Sequence, residues 1–248
     1  MAKKLGKKRS GNLVDMNERW HPFIATPAYD GKVDVDYALS LAESSFVSPL
    51  HSVQVTASCV GNGAFIDLAR NQFVKRFLTD PELQQCTHLF FIDADLKFPA
   101  NAFIGLVRAG LPICAGVYCR LQKTEDYPIK YTEHKDGGLW VQDDWIMADR
   151  VPTGFLCIRR NVIEEMAADA QIIKIQGEKE VEEVPRLFYT DILDDGRFIG
   201  EDFAFCEDYK RKYNDPIWVW PNIDFVHGGY ECNLSDFLER KIAEEAAA

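Results

Sequence analysis

Two aspartates, Asp93 and Asp95, directly follow a run of apolar residues that predicts a buried β-strand. If the backbone stays extended past Ile92, both carboxylates point to the same side, and the small Ala94 lets a ligand approach the backbone. Mg²⁺ and Mn²⁺ take oxygen ligands, commonly one or two carboxylates together with the phosphates of a bound nucleotide. The pair therefore indicates either a divalent-cation site or only the solvated end of a strand.

Three further positions carry groups that could do chemistry. Glu201 and Asp202 begin a predicted helix, where acids either complement the helix dipole or take a proton from a substrate. His227 follows a predicted strand and precedes two glycines, a place for a metal ligand or for a structural histidine in a turn. Arg70 lies in an amphipathic helix, where it either reaches an anionic ligand or forms an ion pair.

Strand and helix patterns alternate through the first half of the chain. Apolar runs predict strands at 21–27, 52–57, 89–93 and 113–118. A helix capped by Asp34 or Asp36 is expected between the first two strands, and its apolar stripe consists of Tyr37, Leu39, Leu41, Ala42 and Phe46. Helices at 65–77 and 100–109 follow. This alternation predicts an α/β fold with a mostly parallel sheet, helices on both faces and a ligand crevice at the carboxyl ends of the strands.

The second half of the chain has a different pattern. Residues 131–147 predict antiparallel strands around a turn at 136–138, and 151–158 predict a strand that returns to the core. Helices are expected at 160–168, from 200 and from 234, with short strands at 217–220 and 225–230 between the last two. The charge-dense segment 176–185 predicts a mobile loop, and Gly61-Asn62-Gly63 predicts a turn.

Length and composition favour one globular domain. The chain has 248 residues, of which 47% are hydrophobic and 27% are charged. We expect a flexible basic tail at 1–20, a single domain at 21–232 and a C-terminal helix with its tail at 233–248. The net charge of -11 disfavours a surface that binds nucleic acid throughout. A local basic arm, formed by Lys3, Lys4, Lys7, Lys8 and Arg9, either reaches an anionic partner or only aids solubility.

No apolar run is long enough to cross a bilayer, and no signal peptide pattern follows Met1. We therefore expect a cytoplasmic protein without a membrane partner. The seven cysteines are scattered and contain no C-x-x-C pair, so reduced thiols fit better than disulfides or a zinc site.

Several short motifs occur in a characteristic order. They are Pro27-Ala28-Tyr29, Leu68-Ala69-Arg70-Asn71, Phe91-Ile92-Asp93-Ala94-Asp95, Pro152-Thr153-Gly154, Gly200-Glu201-Asp202 and His227-Gly228. In residue type and order they resemble the GT-A class of nucleotide-sugar glycosyltransferases. Within that class they are most similar to the large, family-2-like group of inverting enzymes. The resemblance covers about residues 21–232. It implies a nucleotide-sugar-binding half at 21–120 and an acceptor-side catalytic half, smaller and partly antiparallel, at 121–232.

The resemblance also implies roles for individual residues. Asp95 would bind Mn²⁺ or Mg²⁺ directly, and His227 would be a further metal ligand. Asp93 would hold the ribose hydroxyls or a metal-bound water. Asp202 would act as the base that takes the proton of the acceptor hydroxyl, and Glu201 would orient the acceptor. The cation would neutralise the charge that develops on the nucleoside diphosphate as it leaves.

The expected activity is transfer of a sugar, with inversion, from a nucleotide sugar to an acceptor hydroxyl. The donor is expected to be a UDP-sugar. Its binding residues would be Pro27, Ala28, Tyr29, Asp30, Arg70, Asp93, Ala94, Asp95, Thr153 and Gly154. The acceptor could be a saccharide, a protein or a hydroxymethylated base in DNA, the last in the host cytoplasm if the protein is viral. A lipid-linked acceptor is disfavoured because no amphipathic or spanning segment is apparent.

Other classes remain open. A metal-dependent phosphotransferase could use Asp93 as nucleophile, although Leu96 stands where that motif has Thr or Val. Nucleotidyltransferases usually begin with a glycine-rich phosphate loop, and residues 25–32 contain too little glycine for one. A sugar-nucleotide-binding relative without turnover is the third alternative.

Overall fold

The computed structural model describes residues 19–61, 65–133, 137–176 and 181–247. The helices of these residues are α1 (Val35–Val47), α2 (Ile66–Thr79), α3 (Ala100–Arg108), α4 (Arg160–Asp169), α5 (Glu201–Tyr213) and α6 (Leu234–Ala247). The strands of the first half are β1 (Pro22–Ala28), β2 (Thr56–Gly61), β3 (His88–Ile92), β4 (Leu96–Lys97) and β5 (Ile113–Ala115). Those of the second half are β6 (Lys130–Tyr131), β7 (Val141–Gln142), β8 (Trp145–Arg150), β9 (Phe155–Arg159), β10 (Ile172–Gln176), β11 (Val181–Pro185), β12 (Asp191–Ile192), β13 (Phe198–Ile199), β14 (Ile217–Val219), β15 (Phe225–His227) and β16 (Tyr230–Cys232).

The main sheet has the strand order β2-β1-β3-β9-β5-β14-β8-β6, with β7 paired to β8. Among the described strands of this sheet only β8 and β9 run against the common direction of the others. The α/β fold class with a mostly parallel sheet is therefore confirmed. Every antiparallel pair of described strands includes a strand of the second half, where the sequence pattern predicts antiparallel strands.

Buried aromatic residues join the sheet to helices on both faces. Every residue of β3 is buried, because helices cover both of its faces. Phe90 packs against Phe103 of α3, with ring centroids 5.2 Å apart, whereas the next residue, Phe91, packs against Phe73 of α2. Consecutive strand residues point to opposite faces, so α2 and α3 cover opposite sides of the sheet.

A small antiparallel sheet lies beside the end of β3. Its strand order is β16-β15-β4, and β4 begins one residue after Asp95. His227 in β15 pairs with Leu96 in β4. This pairing brings a histidine from late in the chain next to the two aspartates that follow β3.

Three local expectations are wrong. The second strand begins at Thr56, four residues later than its pattern predicts, because 48–51 form a 3₁₀ helix and 52–55 a connection. Of the segment 176–185, which was expected to be a mobile loop, Gln176 ends β10 and 181–185 form β11, whereas 177–180 lie outside the described ranges. The two strands pair antiparallel, and Lys174 and Glu183 also form an ion pair between them. The predicted apolar stripe of α1 is divided, because Tyr37 is buried and Leu41 packs against the core, whereas Leu39 and Phe46 are exposed.

Some expectations concern residues outside the described ranges. They are the basic tail with Lys3, Lys4, Lys7, Lys8 and Arg9, the turn at Asn62-Gly63, and Asp136 of the second turn. Among the described helices none is long and apolar enough to cross a membrane.

Candidate active site

The candidate residues meet where β1 and β3 end. The carboxyl ends of parallel strands share one edge of a sheet, and β1 pairs with β3 in parallel up to Ala25 opposite Phe91, just before the two aspartates. The backbone N–H of Asp34 donates a hydrogen bond to the carbonyl of Ala94 at 2.9 Å. The loop after β1 and the loop that carries both aspartates are therefore joined.

Asp95 and His227 face each other at this edge. Asp95 Oδ2 lies 3.5 Å from His227 Nε2, and His227 Nδ1 lies 2.8 Å from the carbonyl oxygen of Cys119. Since a carbonyl only accepts, Nδ1 carries a proton and donates it. That bond fixes the ring orientation and turns Nε2 toward Asp95, the arrangement by which an outer hydrogen bond orients a metal-binding histidine.

The two side chains also change each other's acidity. Burial disfavours protonation of His227, but its hydrogen bonds to Asp95 and Cys119 outweigh burial and raise its pKa above the usual value. The hydrogen bond from His227 lowers the pKa of Asp95, and partial burial opposes this effect. Without a metal, the facing Asp95 carboxylate therefore favours protonation of His227, at the nitrogen that a cation would bind.

The spacing of this pair suits a divalent cation. Two neighbouring ligands at about 2.1 Å from an octahedral ion lie about 3 Å apart. The 3.5 Å between Asp95 Oδ2 and His227 Nε2 needs only a small adjustment to reach that value. Among the described residues no three His, Cys, Asp or Glu side chains converge on one metal position. A cation here would take its remaining ligands from phosphate oxygens and water, as Mg²⁺ and Mn²⁺ commonly do.

Asp93 is held by two donors of the protein. The hydroxyl of Tyr118 donates to Asp93 Oδ2 at 2.5 Å, and Arg70 Nη2 lies 3.4 Å from Asp93 Oδ1. Gly154 makes room for this arrangement, because a Cβ at that position would lie 2.1 Å from Asp93 Oδ2 and 1.8 Å from Tyr118 Oη. The Gly154 carbonyl also accepts the backbone N–H of Asp93 at 2.9 Å. Asp93 is thus fixed on its backbone and on its side chain.

Arg70 connects the end of β3 to the start of α5. Its side chain is 3% exposed, and its guanidinium contacts Glu201 Oε1 as well as Asp93. The neighbouring Asn71 donates to the carbonyl of Phe188 at 2.7 Å and accepts from the N–H groups of Leu187 and Phe188. Arg70 thus contacts Asp93 at the end of β3 and Glu201 in α5, and the adjacent Asn71 binds 187–188 before α5. Helix α2 therefore fixes α5 and the segment before it relative to β3.

Asp202 is the acid with the most perturbed ionisation in the cluster. Burial and the nearby charge of Glu201 raise its pKa to about 6, and Arg70 only partly opposes them. Its Oδ1 accepts the backbone N–H of Phe203 at 2.7 Å. A carboxylate with a pKa near 6 is ionised at neutral pH and is basic enough to share the proton of a hydroxyl group in a transition state.

The remaining predicted residues lie around this cluster. Thr153 is buried, and its hydroxyl has no hydrogen-bond partner among the described residues. Pro27 and Ala28 end β1, followed by Tyr29, which is 77% exposed, and by Asp30, which pairs with Lys32. Tyr29 contacts no ring of the described chain, so its side chain is available to pack on a planar ligand.

Two contributors to the site were missed from the sequence. Tyr118 was assigned only to a buried strand, yet it orients Asp93, and its ring packs edge-on against His227 at 4.8 Å between centroids. A polar aromatic residue just beyond a parallel strand was the available signal. The carbonyl of Cys119, which orients His227, is a backbone group and leaves no trace in the sequence.

Comparisons with known proteins identify no family. No protein-family model matches the chain, and no curated protein matches it. Among solved structures the chain is similar to A197 from STIV, with 16% identity, a TM-score of 0.49 and coverage of 84% of this chain and 85% of that one. It is also similar to GalNAc-T7, solved with UDP, GalNAc and Mn²⁺, with 11% identity, a TM-score of 0.43 and coverage of 87% and 46%.

A third solved structure is a glycosyltransferase involved in the glycosylation of the major capsid of PBCV-1. Its identity is 10%, its TM-score 0.30 and its coverage 59% of this chain and 63% of that one. The chain spans less than half the length of the GalNAc-T7 chain. At these identities and TM-scores the likenesses carry no argument about activity, so function is inferred from the geometry of the site.

Proposed function

We propose that this protein is a metal-dependent glycosyltransferase that moves a sugar from a UDP-sugar to an acceptor hydroxyl with inversion. The observation that carries the proposal is a cation-sized Asp95–His227 pair close to a partly buried base, Asp202. Arg70 joins the two parts, because it contacts Asp93, which precedes Asp95 by two residues, and Glu201, which precedes Asp202. Metal-ligand chemistry and proton-accepting chemistry are both needed for this transfer, and the two sets of groups belong to one connected cluster.

The charge of the cluster supports the need for a cation. Asp93, Asp95, Glu201 and Asp202 are four acids, against which Arg70 is the buried positive charge. A nucleoside diphosphate would be repelled by this cluster unless a divalent cation lay between its phosphates and the carboxylates. When bound, Mn²⁺ or Mg²⁺ would neutralise the charge of the departing diphosphate as a Lewis acid, with Asp95 and His227 holding it.

The protein's own residues would then have separate tasks. Asp93, fixed by Tyr118 and Arg70, retains lone pairs with which to accept ribose hydroxyls. Asp202 would take the proton of the acceptor hydroxyl while that oxygen attacks the anomeric carbon opposite the diphosphate. Glu201, held by Arg70, would accept a hydrogen bond from a second hydroxyl group of the acceptor substrate and so orient that substrate. Pro27, Ala28, Tyr29 and Asp30 would border the nucleoside, and Ala94, Thr153 and Gly154 would leave space for the donor.

The geometry favours this assignment over a phosphotransferase that uses Asp93 as nucleophile. A nucleophilic carboxylate must present a free oxygen to phosphorus along the line of attack. Both oxygens of Asp93 already face protein donors, and the Tyr118 hydroxyl is only 2.5 Å from Oδ2. Release of phosphate from small phosphoesters would test the alternative directly.

A hairpin before α5 indicates which acceptors fit. Ile192 and Phe198 pair across β12 and β13 and are each 70% exposed, only three to nine residues before Glu201. Asp191, Asp194 and Asp195 surround them, with Arg197 paired to Asp195. We infer an acceptor that carries an apolar group and little negative charge, a saccharide or polypeptide rather than DNA. A mass gain on hydroxymethylated duplexes alone would contradict this inference.

Calorimetric titration with UDP and Mn²⁺ tests the proposal as a whole. We expect UDP binding that requires Mn²⁺ and is lost in Asp95→Asn, whereas Asp202→Asn binds UDP normally and transfers no sugar. Asp169→Asn, which replaces an exposed acid of α4 that pairs with Lys212, is the matched control and should behave as wild type. Metal-independent binding, or near-normal turnover by Asp202→Asn, would refute the assignment.

A further inference from the structure

Helix α1 carries large apolar side chains on its exposed side. Its buried positions are Tyr37, Ser40 and Ser44, and Ser48 continues the row just beyond its end. Its outward side bears Val35, Leu39 and Phe46, and Leu50 continues it in the 3₁₀ turn. These four apolar side chains are 62% to 82% exposed. We call them, with Ala38, Ala42 and Pro49 between them, the α1 face.

Hydrogen bonds fix this orientation. The hydroxyl of Ser40 accepts the backbone N–H of Phe98 at 3.0 Å, and the hydroxyl of Tyr37 bonds to Thr26 Oγ1 at 2.5 Å. The N–H of Asp34, just before the helix, donates to Ala94. Rotating α1 to bury its apolar residues would break all three bonds and leave buried polar groups unsatisfied. The exposed face therefore belongs to the native fold.

Exposure of this face has a cost that a partner would remove. Burying a Val, Leu or Phe side chain contributes about 1.5–3 kcal/mol relative to leaving it in water. Contiguous exposed apolar surface of this kind marks interaction sites, whereas single exposed apolar residues need no explanation. Val35, Leu39, Phe46 and Leu50 are not scattered, because spacings of four, seven and four residues put them on one side of the helix.

The spacing of the α1 face matches a second copy of itself. The four apolar positions are symmetric about the midpoint between Ala42 and Glu43. If two α1 helices pack antiparallel about that midpoint, Val35 of one copy meets Leu50 of the other, and Leu39 meets Phe46. The small Ala38 and Ala42 lie near the crossing point and allow close approach. A surface that complements itself in this way is what a two-fold symmetric interface requires.

Charges at the ends of the α1 face agree with this pairing. Antiparallel packing places the exposed His51 of one copy opposite the exposed Asp34 of the other, twice by symmetry. Asp36 and Glu43, the two charged residues within the span, lie beside the apolar positions rather than among them. A membrane surface fits less well, because helices that lie on anionic lipid carry Lys and Arg beside the apolar face. Here Asp34, Asp36 and Glu43 take those positions, on a chain of net charge -11.

We propose that this protein forms a two-fold symmetric homodimer through antiparallel packing of its α1 faces. The interface adjoins the candidate active site without entering it, since Asp34 at the start of α1 is bonded to Ala94 between the two aspartates. The proposal does not depend on the proposed activity.

Sedimentation equilibrium tests the assembly. The wild type is expected at twice the 28.2 kDa of one chain. Leu39→Glu/Phe46→Glu should raise the dimer dissociation constant by about 100-fold or more, because the two positions contact each other twice in the dimer. Ile242→Glu, which replaces an exposed apolar residue of α6, is the matched control and should remain dimeric. A wild type that stays monomeric up to about 100 μM, a concentration at which roughly nine-tenths of the chains would be paired if the dissociation constant were about 1 μM, refutes the proposal.

Cysteine trapping tests the symmetry. In a Cys59→Ser background, which removes the exposed native thiol, Ala42→Cys should give a disulfide-linked dimer on mild oxidation with oxygen. Val35→Cys alone should not, because at 1.5 Å per residue its two copies lie roughly 22 Å apart. Efficient linkage through Val35→Cys, or none through Ala42→Cys in a protein that is dimeric, contradicts antiparallel packing. Binding of the monomer to anionic vesicles through Phe46 would assign the face to lipid instead.

Discussion

Replacing Gly154 by alanine tests the idea that Asp93 must be held in place by Tyr118. Gly154 is not among the glycines with positive φ, so alanine meets no backbone strain there. Its Cβ would, however, lie 1.8 Å from Tyr118 Oη and 2.1 Å from Asp93 Oδ2. One of these side chains has to move, and the hydrogen bond between them has to lengthen or break.

The size of the effect follows from two contributions. Overpacking one methyl group into a close-packed site costs about 1–3 kcal/mol. Weakening a hydrogen bond to a charged carboxylate costs about 1.5–3 kcal/mol, part of which water recovers. We expect a net loss of about 2 kcal/mol in the free energy of unfolding, a fall of about 4–8 °C in Tm for a chain of this size. Affinity for UDP with Mn²⁺ should fall at least about tenfold, or 1.4 kcal/mol.

Thermal unfolding and calorimetric titration measure the two effects separately. Gly105→Ala is the matched control, since its Cβ would lie 2.3 Å from the ring of Trp220, away from Asp93 and Tyr118. This control should lose stability while binding UDP and Mn²⁺ as the wild type does, although alanine's higher helix propensity offsets part of its cost. If Gly154→Ala binds donor normally, or loses no more affinity than Gly105→Ala, the claim that Asp93 needs this support is wrong.

Three other outcomes are expected. The folded-state pKa of Asp202, about 6, exceeds its ordinary value of 3.8, so the wild type loses stability as the pH rises between these values. Asp202→Asn should therefore be more stable than the wild type by roughly 2–3 kcal/mol at pH 8 but not at pH 4. Thermal unfolding at both pH values measures this difference. For the wild type, kcat/KM for sugar transfer should fall about tenfold per pH unit below about pH 6, as Asp202 becomes protonated, and a flat profile would exclude it as the base. Arg70→Met should lower the free energy of unfolding by about 3–5 kcal/mol, measured by chemical denaturation, because it leaves two partly buried acids without their cation. Lys75→Met, which breaks the more exposed pair with Glu182, should lower it by less than about 1 kcal/mol.

The fold was largely predictable because its strands carry strong local signals. The continuous apolar run before Asp93 predicts a strand buried on both faces, and β3 is buried throughout. Predictions were least accurate where the pattern was short. Residues 52–57 alternate like a strand, but the chain first turns through a 3₁₀ helix, and β2 starts at Thr56.

Helix α1 shows why periodicity alone misplaces a face. Its sequence groups five apolar residues into one stripe, and in a core-facing helix such a stripe usually turns inward as a unit. In the structure Tyr37 of that stripe packs inward together with a row of serines, and Tyr37 and Ser40 form hydrogen bonds with Thr26 and Phe98. Leu39 and Phe46 of the same stripe are exposed. The helical period identifies two faces, whereas the partners that each face meets depend on residues far along the chain.

The sequence by itself determined the α/β class, the strand before the two aspartates and the residue types able to bind a cation or take a proton. Only the tertiary structure decided which of these residues share a site. Asp95 meets His227 through the pairing of β4 with β15, and Asp93 meets Glu201 through the guanidinium of Arg70. These contacts span more than a hundred positions of the chain. Local patterns carry no record of such contacts, since strand pairing and burial, rather than spacing along the chain, set the distances between the groups that react.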